Sequence, residues 1–291
     1  MELNHEAVAG VPHPAATIIM LRDGTDGLEV YLMKRHAQSS AFGGAYVFPG
    51  GKVDAPDADA NITGRLDQSL AALHPSLNEP ELDEPTVAGL YVAAIREVFE
   101  ECGVLFAHGA GPALVAKAAE RLRSGETFNA MAAQLDLRFL TSRLAPWSRW
   151  ITPLMPSMSK KRFDTRFFVA AVPAGQTALH DNHEAIDSAW LGPRAALDRY
   201  RDGEVELAAP QIMTLAHLSR FADVDAAMQH ARSRKPALIQ PEPFELEGKR
   251  MVCYPGDDCH PVRERAMPGP TRLHLSGKRF VPIDGHESLF S

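Results

Sequence analysis

The segment Arg96-Glu97-Val98-Phe99-Glu100-Glu101-Cys102-Gly103-Val104 crowds three carboxylates and a guanidinium into a short stretch. On a helix at about 100° per residue, Glu101 falls about 40° to one side of Glu97 and Glu100 about 60° to the other. Ile95, Val98, Phe99 and Cys102 take the opposite face, which is expected to be core. Like charges one turn apart weaken a helix by a few tenths of a kcal/mol per pair. A bound divalent cation removes that repulsion. Oxygen donors with no Cys or His on the same face suit Mg²⁺ or Mn²⁺ better than Zn²⁺. A solvated acidic face, with Arg96 paired to Glu100, accounts for this segment equally well.

Upstream, Phe48-Pro49-Gly50-Gly51 follows a strand signal, and two glycines allow a backbone to approach closely. The two segments together resemble the Nudix box, G-x5-E-x7-R-E-U-x-E-E-x-G-U with U aliphatic. Gly51 matches the leading glycine. Arg96, Glu97, Val98, Glu100, Glu101, Gly103 and Val104 match the second half. Asp57 stands where the first Glu belongs, and about 31 residues more than the pattern allows separate Gly51 from Arg96. A loop lengthens at small entropic cost if its ends still meet. Asp57 and Glu84 both stand as replacements for the missing Glu. The interrupted box resembles the branch of Nudix hydrolases that includes a peroxisomal acyl-coenzyme A diphosphatase. Residues 42–51, 150–153 and 162–168 are similar to that branch, and the likeness spans roughly residues 15–220.

The resemblance implies an α/β protein, a Nudix α/β/α sandwich with a mixed sheet. It implies a hydrolase acting on phosphorus-containing anhydrides. The substrate would be a nucleoside diphosphate linked to another moiety, coenzyme A or acyl-coenzyme A first. ADP-ribose or NADH is the second reading, and a non-catalytic Nudix-fold binding module the third. By the same resemblance, Glu97, Glu100 and Glu101, helped by a Gly50 or Gly51 carbonyl, would hold Mg²⁺ or Mn²⁺. Arg96 would organise the acids by ion pairing. Glu184, in a loop between two strand signals, is the candidate for a further catalytic carboxylate. Arg35, Lys160, Lys161 and Arg162 are candidates to meet substrate phosphates, with solvated surface positions as the alternative. Trp147 and Trp150 could stack a base, although packing explains such residues more often. Cys253, Cys259 and His260 are three zinc-type ligands at a spacing that fits no usual zinc pattern.

These residues need elements to position them. Apolar runs at 15–21 and 28–35 flank a Gly/Asp turn and predict a hairpin, with a short strand at 45–48. The span 57–84, rich in Asp, Pro and Asn, reads as a surface insertion with a weakly helical middle. A helix is expected over 86–102, opened by Pro85 and capped by Gly103. Extra helices are expected within about 110–140, strands at 166–172 and 188–191, and helices at 193–200 and 210–234. Residues 12–234 would form the hydrolase domain, and 235–291 an irregular or β-rich extension.

Composition excludes several other classes. With 45% hydrophobic and 23% charged residues, the 291-residue chain can bury a sizeable core. A net charge of −7 argues against general binding to nucleic acid or anionic membrane. Three cysteines cannot all pair, so a disulfide scaffold is not expected. No apolar run spans a bilayer, no signal peptide is evident, and the final Leu289-Phe290-Ser291 is not of the Ser-Lys-Leu type. The expectation is a cytoplasmic protein whose partner is a small-molecule diphosphate, with a homodimer left open.

Overall fold

Strands β1 (His13–Gly24) and β2 (Gly27–Arg35) form the hairpin the sequence predicts, with Leu21 opposite Val30. In this computed structural model, residues 7–38, 43–155, 161–180 and 185–291 are described. Strands β3 (Tyr46–Val47), β4 (Gly50–Lys52), β5 (Ala145–Ile151), β6 (Phe163–Ala171), β7 (Ala185–Leu191) and β8 (Ala237–Ile239) complete a mixed sheet. Its order is β3-β2-β1-β6-β5-β8, with β4 also on β1 and β7 also on β2. The β1–β6 and β5–β8 pairs are parallel and the others antiparallel.

The middle of β1, residues 15–21, is an almost continuous apolar run because both of its faces are covered. Ile18 and Met20 join one core, and Ile19 and Leu21 join the other. The first core packs under α3 (Glu84–Cys102), with the short helices α1 (Ala60–Thr63) and α2 (Leu70–Leu73) before it. Helices α4 (Pro112–Arg123) and α5 (Phe128–Gln134) follow. The second core packs under α6 (Pro193–Arg201), α7 (Ala209–Leu218) and α8 (Val224–Ser233).

The chain past α8 is tied to this core. β8 pairs with β5, and an antiparallel sheet β9 (Glu242–Leu246), β10 (Lys249–Cys253), β11 (Arg272–Ser276) and β12 (Arg279–Pro282) follows. Val252, Tyr254, Leu273 and Phe280 are buried in the second core.

Three expectations change. The span 57–84 is not a surface loop: Ile62, Leu66, Leu73 and Leu77 are buried in the first core beneath α3. Its Glu79 is buried too, accepting from Arg166 (Nε, 3.0 Å) on β6 and Arg149 (Nη1, 2.7 Å) on β5. The helix expected over 210–234 is two helices, because Asp223 caps a new one by accepting from Ala226 N at 2.8 Å. Residues 145–151, where only the two tryptophans stood out, form β5.

Candidate active site

Helix α3 starts on Asp83, whose side chain accepts from Thr86 N, and Pro85 sits in its first turn. It stops at Gly103, whose φ of +67° is the left-handed conformation that glycine adopts without strain. The predicted apolar face is buried, but so is most of the rest of α3, with Arg96 at 9% and Glu101 at 5% exposure. Glu101 therefore does not face open solvent as a two-faced helix would have it. Its Oε2 accepts from the Gly50 backbone N–H at 2.8 Å.

The glycine pair is a strand, not a free loop. Gly50 and Gly51 pair with Thr17 and Ala16 of β1. Gly50 has φ +153°, and a Cβ there would lie 2.4 Å from the Ala16 carbonyl oxygen. A Cβ on Gly51 would lie 2.5 Å from both carboxylate oxygens of Glu97. The two halves of the interrupted box thus meet in space, although 45 residues separate Gly51 from Arg96.

Arg96 joins them. Its Nε and Nη2 donate to the two oxygens of Asp57 at 2.8 and 2.9 Å, and Nη2 also donates to the Lys52 carbonyl at 2.9 Å. Its Nη1 donates to Glu97 at 2.9 Å and Glu100 at 3.1 Å. Asp57, 1% exposed, also accepts from Asp54 N. Of the two acids that could replace the missing first Glu, Asp57 touches the box arginine. Glu84 does not: it lies in the first turn of α3, twelve residues before Arg96, or about 18 Å of helix at 1.5 Å per residue. The surrounding acids hold the Arg96 guanidinium firmly charged against its burial, Asp57 foremost. Burial raises the Glu100 pKa, and the Asp57 and Asp54 charges add to that while Arg96 opposes it.

Among the described residues, no three His, Cys, Asp or Glu side chains form a ready cage for an ion. The donor set nevertheless fits a hard cation of the Mg²⁺ kind, which keeps waters and takes substrate oxygens instead of filling its shell with protein. Glu97 lines an open cleft, Glu100 is partly exposed, and Glu101 is fixed behind them by Gly50.

That cleft has a volume of about 490 Å³. Gly50, Gly51, Asp54 and Glu97 line it at the box, with the cations Arg35 and Lys161 also on its wall. Lys160 and Glu184 lie outside the described residues. Arg162 departs from the expectation. Its guanidinium donates to the carbonyls of Thr152 (3.0 Å) and Gly10 (2.8 Å), so it braces backbone and is not on the cleft wall. Trp150 lines the cleft, while Trp147 is core, packed against His217 and His230. Cys253 and His260 are engaged with the carbonyls of Glu242 and Gln240, not with a metal set.

Sequence patterns could not have found Gln211, Val252 or Phe280 on the cleft wall. Their only sequence signal is ordinary helix or strand character, and their place depends on how the C-terminal sheet docks.

The family model for the NUDT19 Nudix domain matches residues 8–218. The Xenopus laevis protein named acyl-coenzyme A diphosphatase NUDT19 is 26% identical over 278 residues, covering 82% of this chain and 73% of that protein. The Homo sapiens protein of the same name is 28% identical over 237 residues, covering 68% of this chain and 62% of that protein. A crystal structure of a Nudix hydrolase from Alicyclobacillus acidocaldarius matches with TM-score 0.60 at 25% identity, over 78% of this chain and 97% of that one. Among the described residues, no helix is long and apolar enough to cross a membrane. Box geometry and family match agree: the chain belongs to the NUDT19 Nudix domain family and is a Nudix hydrolase.

Proposed function

We propose that the cleft cleaves the diphosphate of coenzyme A or its acyl thioesters, as the names of the relatives say of those proteins. One observation carries the reading. A single cleft runs from the Glu97–Gly51 contact to an apolar wall that includes Val252 and Phe280. It can seat a charged diphosphate at one end and the less polar arm attached to it at the other.

Glu97, Glu100 and Glu101, with the Gly51 carbonyl, would hold Mg²⁺ or Mn²⁺. When bound, that ion supplies charge neutralisation at the diphosphate and activation of water. Arg96 holds Glu97 and Glu100 in place and is spent on that task. Arg35 and Lys161 face the phosphates, Lys160 is the neighbouring candidate, and Arg162 braces the backbone beside them. Glu184, just before β7, remains the candidate base; Ala185 pairs with Arg35, so the strand enters beside a cleft residue. Residues 12–234 form the catalytic domain, and 235–291 complete its cleft. A cytoplasmic location and a homodimer belong to the same proposal; cell fractionation and sedimentation check them.

The test is a panel of coenzyme A, acetyl-coenzyme A, ADP-ribose and NADH with product identification, in Mg²⁺, in Mn²⁺ and in chelator. Coenzyme A should yield adenosine 3′,5′-bisphosphate and 4′-phosphopantetheine, with no turnover in chelator. Glu101→Gln should lose about two to three orders of magnitude in kcat. Preferred cleavage of ADP-ribose would move the assignment to the second reading.

A further inference from the structure

Gln211 sits in the first turn of α7, is 6% exposed, and lines the cleft. Its Oε1 is buried and, among the described residues, has no hydrogen-bond partner. Folding does not reward an arrangement of this kind, because a buried acceptor that has lost water and gained nothing costs stability. A ligand that brings an N–H into the cleft removes that cost. A carboxamide offers an acceptor and a donor side by side, which is the complement of another amide. The wall around it is aliphatic and ring-like: Pro210, Pro241, Pro243, Val252 and Phe280. Four of these five lie beyond residue 218, where the family match ends.

The geometry points to Gln211 as a specificity-determining residue that hydrogen-bonds an amide of the arm attached to the diphosphate, while the C-terminal sheet supplies the apolar wall along that arm. This rests on the coenzyme A reading above. The adenosine half of such a substrate also carries N–H groups, so the two sources must be separated.

The experiment uses the full chain as wild type, Gln211→Leu and Gln211→Met. The second variant covers the case in which the branched side chain does not pack. Coenzyme A hydrolysis is measured with pantetheine and ADP as competitive inhibitors, each carrying one half of the substrate. Both variants should lose about tenfold or more in kcat/KM for coenzyme A. Pantetheine should inhibit them correspondingly less, and ADP should inhibit them as it does the wild type. Their Tm should be no lower than wild type, since an orphaned acceptor has been removed, whereas a purely structural glutamine would lower it. Weakened inhibition by ADP instead of pantetheine, unchanged kinetics, or a lowered Tm in both variants would each overturn the assignment. A wild-type enzyme that cleaves ADP-ribose and not coenzyme A would overturn the substrate reading itself, and the arm assignment with it.

Discussion

The Gly51 backbone lies against the Glu97 carboxylate so closely that any Cβ at Gly51 would overlap it, at 2.5 Å from Cδ, Oε1 and Oε2. The neighbouring Gly50 meets a different obstacle, the Ala16 carbonyl at 2.4 Å and the Thr17 Cα at 2.6 Å, at φ +153°. A flexible side chain can yield, whereas a paired strand cannot. Gly51→Ala should therefore fold with little change in Tm but lose activity about tenfold or more, because Glu97 is pushed from its position. Gly50→Ala should lower stability by about 2 kcal/mol or more. Denaturation curves and kcat on the two proteins check the contrast, and equal effects at both positions would contradict it.

Asp57 and Arg96 form a buried ion pair, their side chains 2% and 10% exposed. Removing one member leaves the other charge stranded. Asp57→Ala should cost about 3–5 kcal/mol. Asp57→Glu, which restores the residue type of the uninterrupted box, should retain more activity than Asp57→Ala or Asp57→Asn. Glu84→Ala, at the far end of the same helix, should do neither kind of damage. A Glu84 variant as impaired as Asp57→Ala would reverse the assignment of the missing box residue.

The box was legible because its chemistry is local. Arg96 to Val104 lie on one helix, and helical periodicity alone gathers Glu97, Glu100 and Glu101. The hairpin was legible for the same reason, since two apolar runs flank the turn between Gly24 and Gly27. The replacement for the first Glu of the box was not settled, because Asp57 and Glu84 are equally acidic in one dimension and only the docking of the insertion separates them. The insertion itself misled: Asp, Pro and Asn are plentiful, yet four well-spaced apolar residues suffice to anchor it under α3. Arg162 looked like a phosphate ligand because charge is visible in sequence and a waiting backbone carbonyl is not. Gln211 gave no signal at all, because its interest lies in what it lacks.

Glu79 ties the insertion to the sheet through Arg166 and Arg149, and it is 4% exposed. Glu81, two residues on, also reaches Arg149, at 3.4 Å, but its side chain is 61% exposed. Solvent should separate these two acids. Glu79→Ala should lose about 3–5 kcal/mol and weaken hydrogen-exchange protection across residues 57–84, since two cations lose a buried partner. Glu81→Ala should stay within about 0.5 kcal/mol of wild type. Comparable losses from both would mean that burial does not decide the strength of this network.

His217 is packed among Trp147, Phe221 and His230, with ring centroids 4.6, 6.0 and 5.1 Å away. Burial, then the charges of Arg234, His230 and Arg220, lower its pKa from 6.5 to about 3. The folded protein therefore holds it neutral, while the unfolded chain takes up a proton below about pH 6.5. A depressed base of this kind contributes stability that is fully present above the unfolded pKa and is lost as pH falls through it. Between about pH 6.5 and 3 the unfolded state binds one more proton at this site, worth up to about 1.4 kcal/mol per pH unit. His230, also lowered by burial and Arg234, adds a slope of the same sign. His217→Leu fills a similar space without a titrating group. Its stability should match wild type within about 1–2 kcal/mol at pH 7.5 and fall less steeply between pH 6 and 4. The check is urea denaturation at half-unit pH steps on both proteins. Parallel slopes through that window would show that His217 is not the buried neutral base its surroundings require.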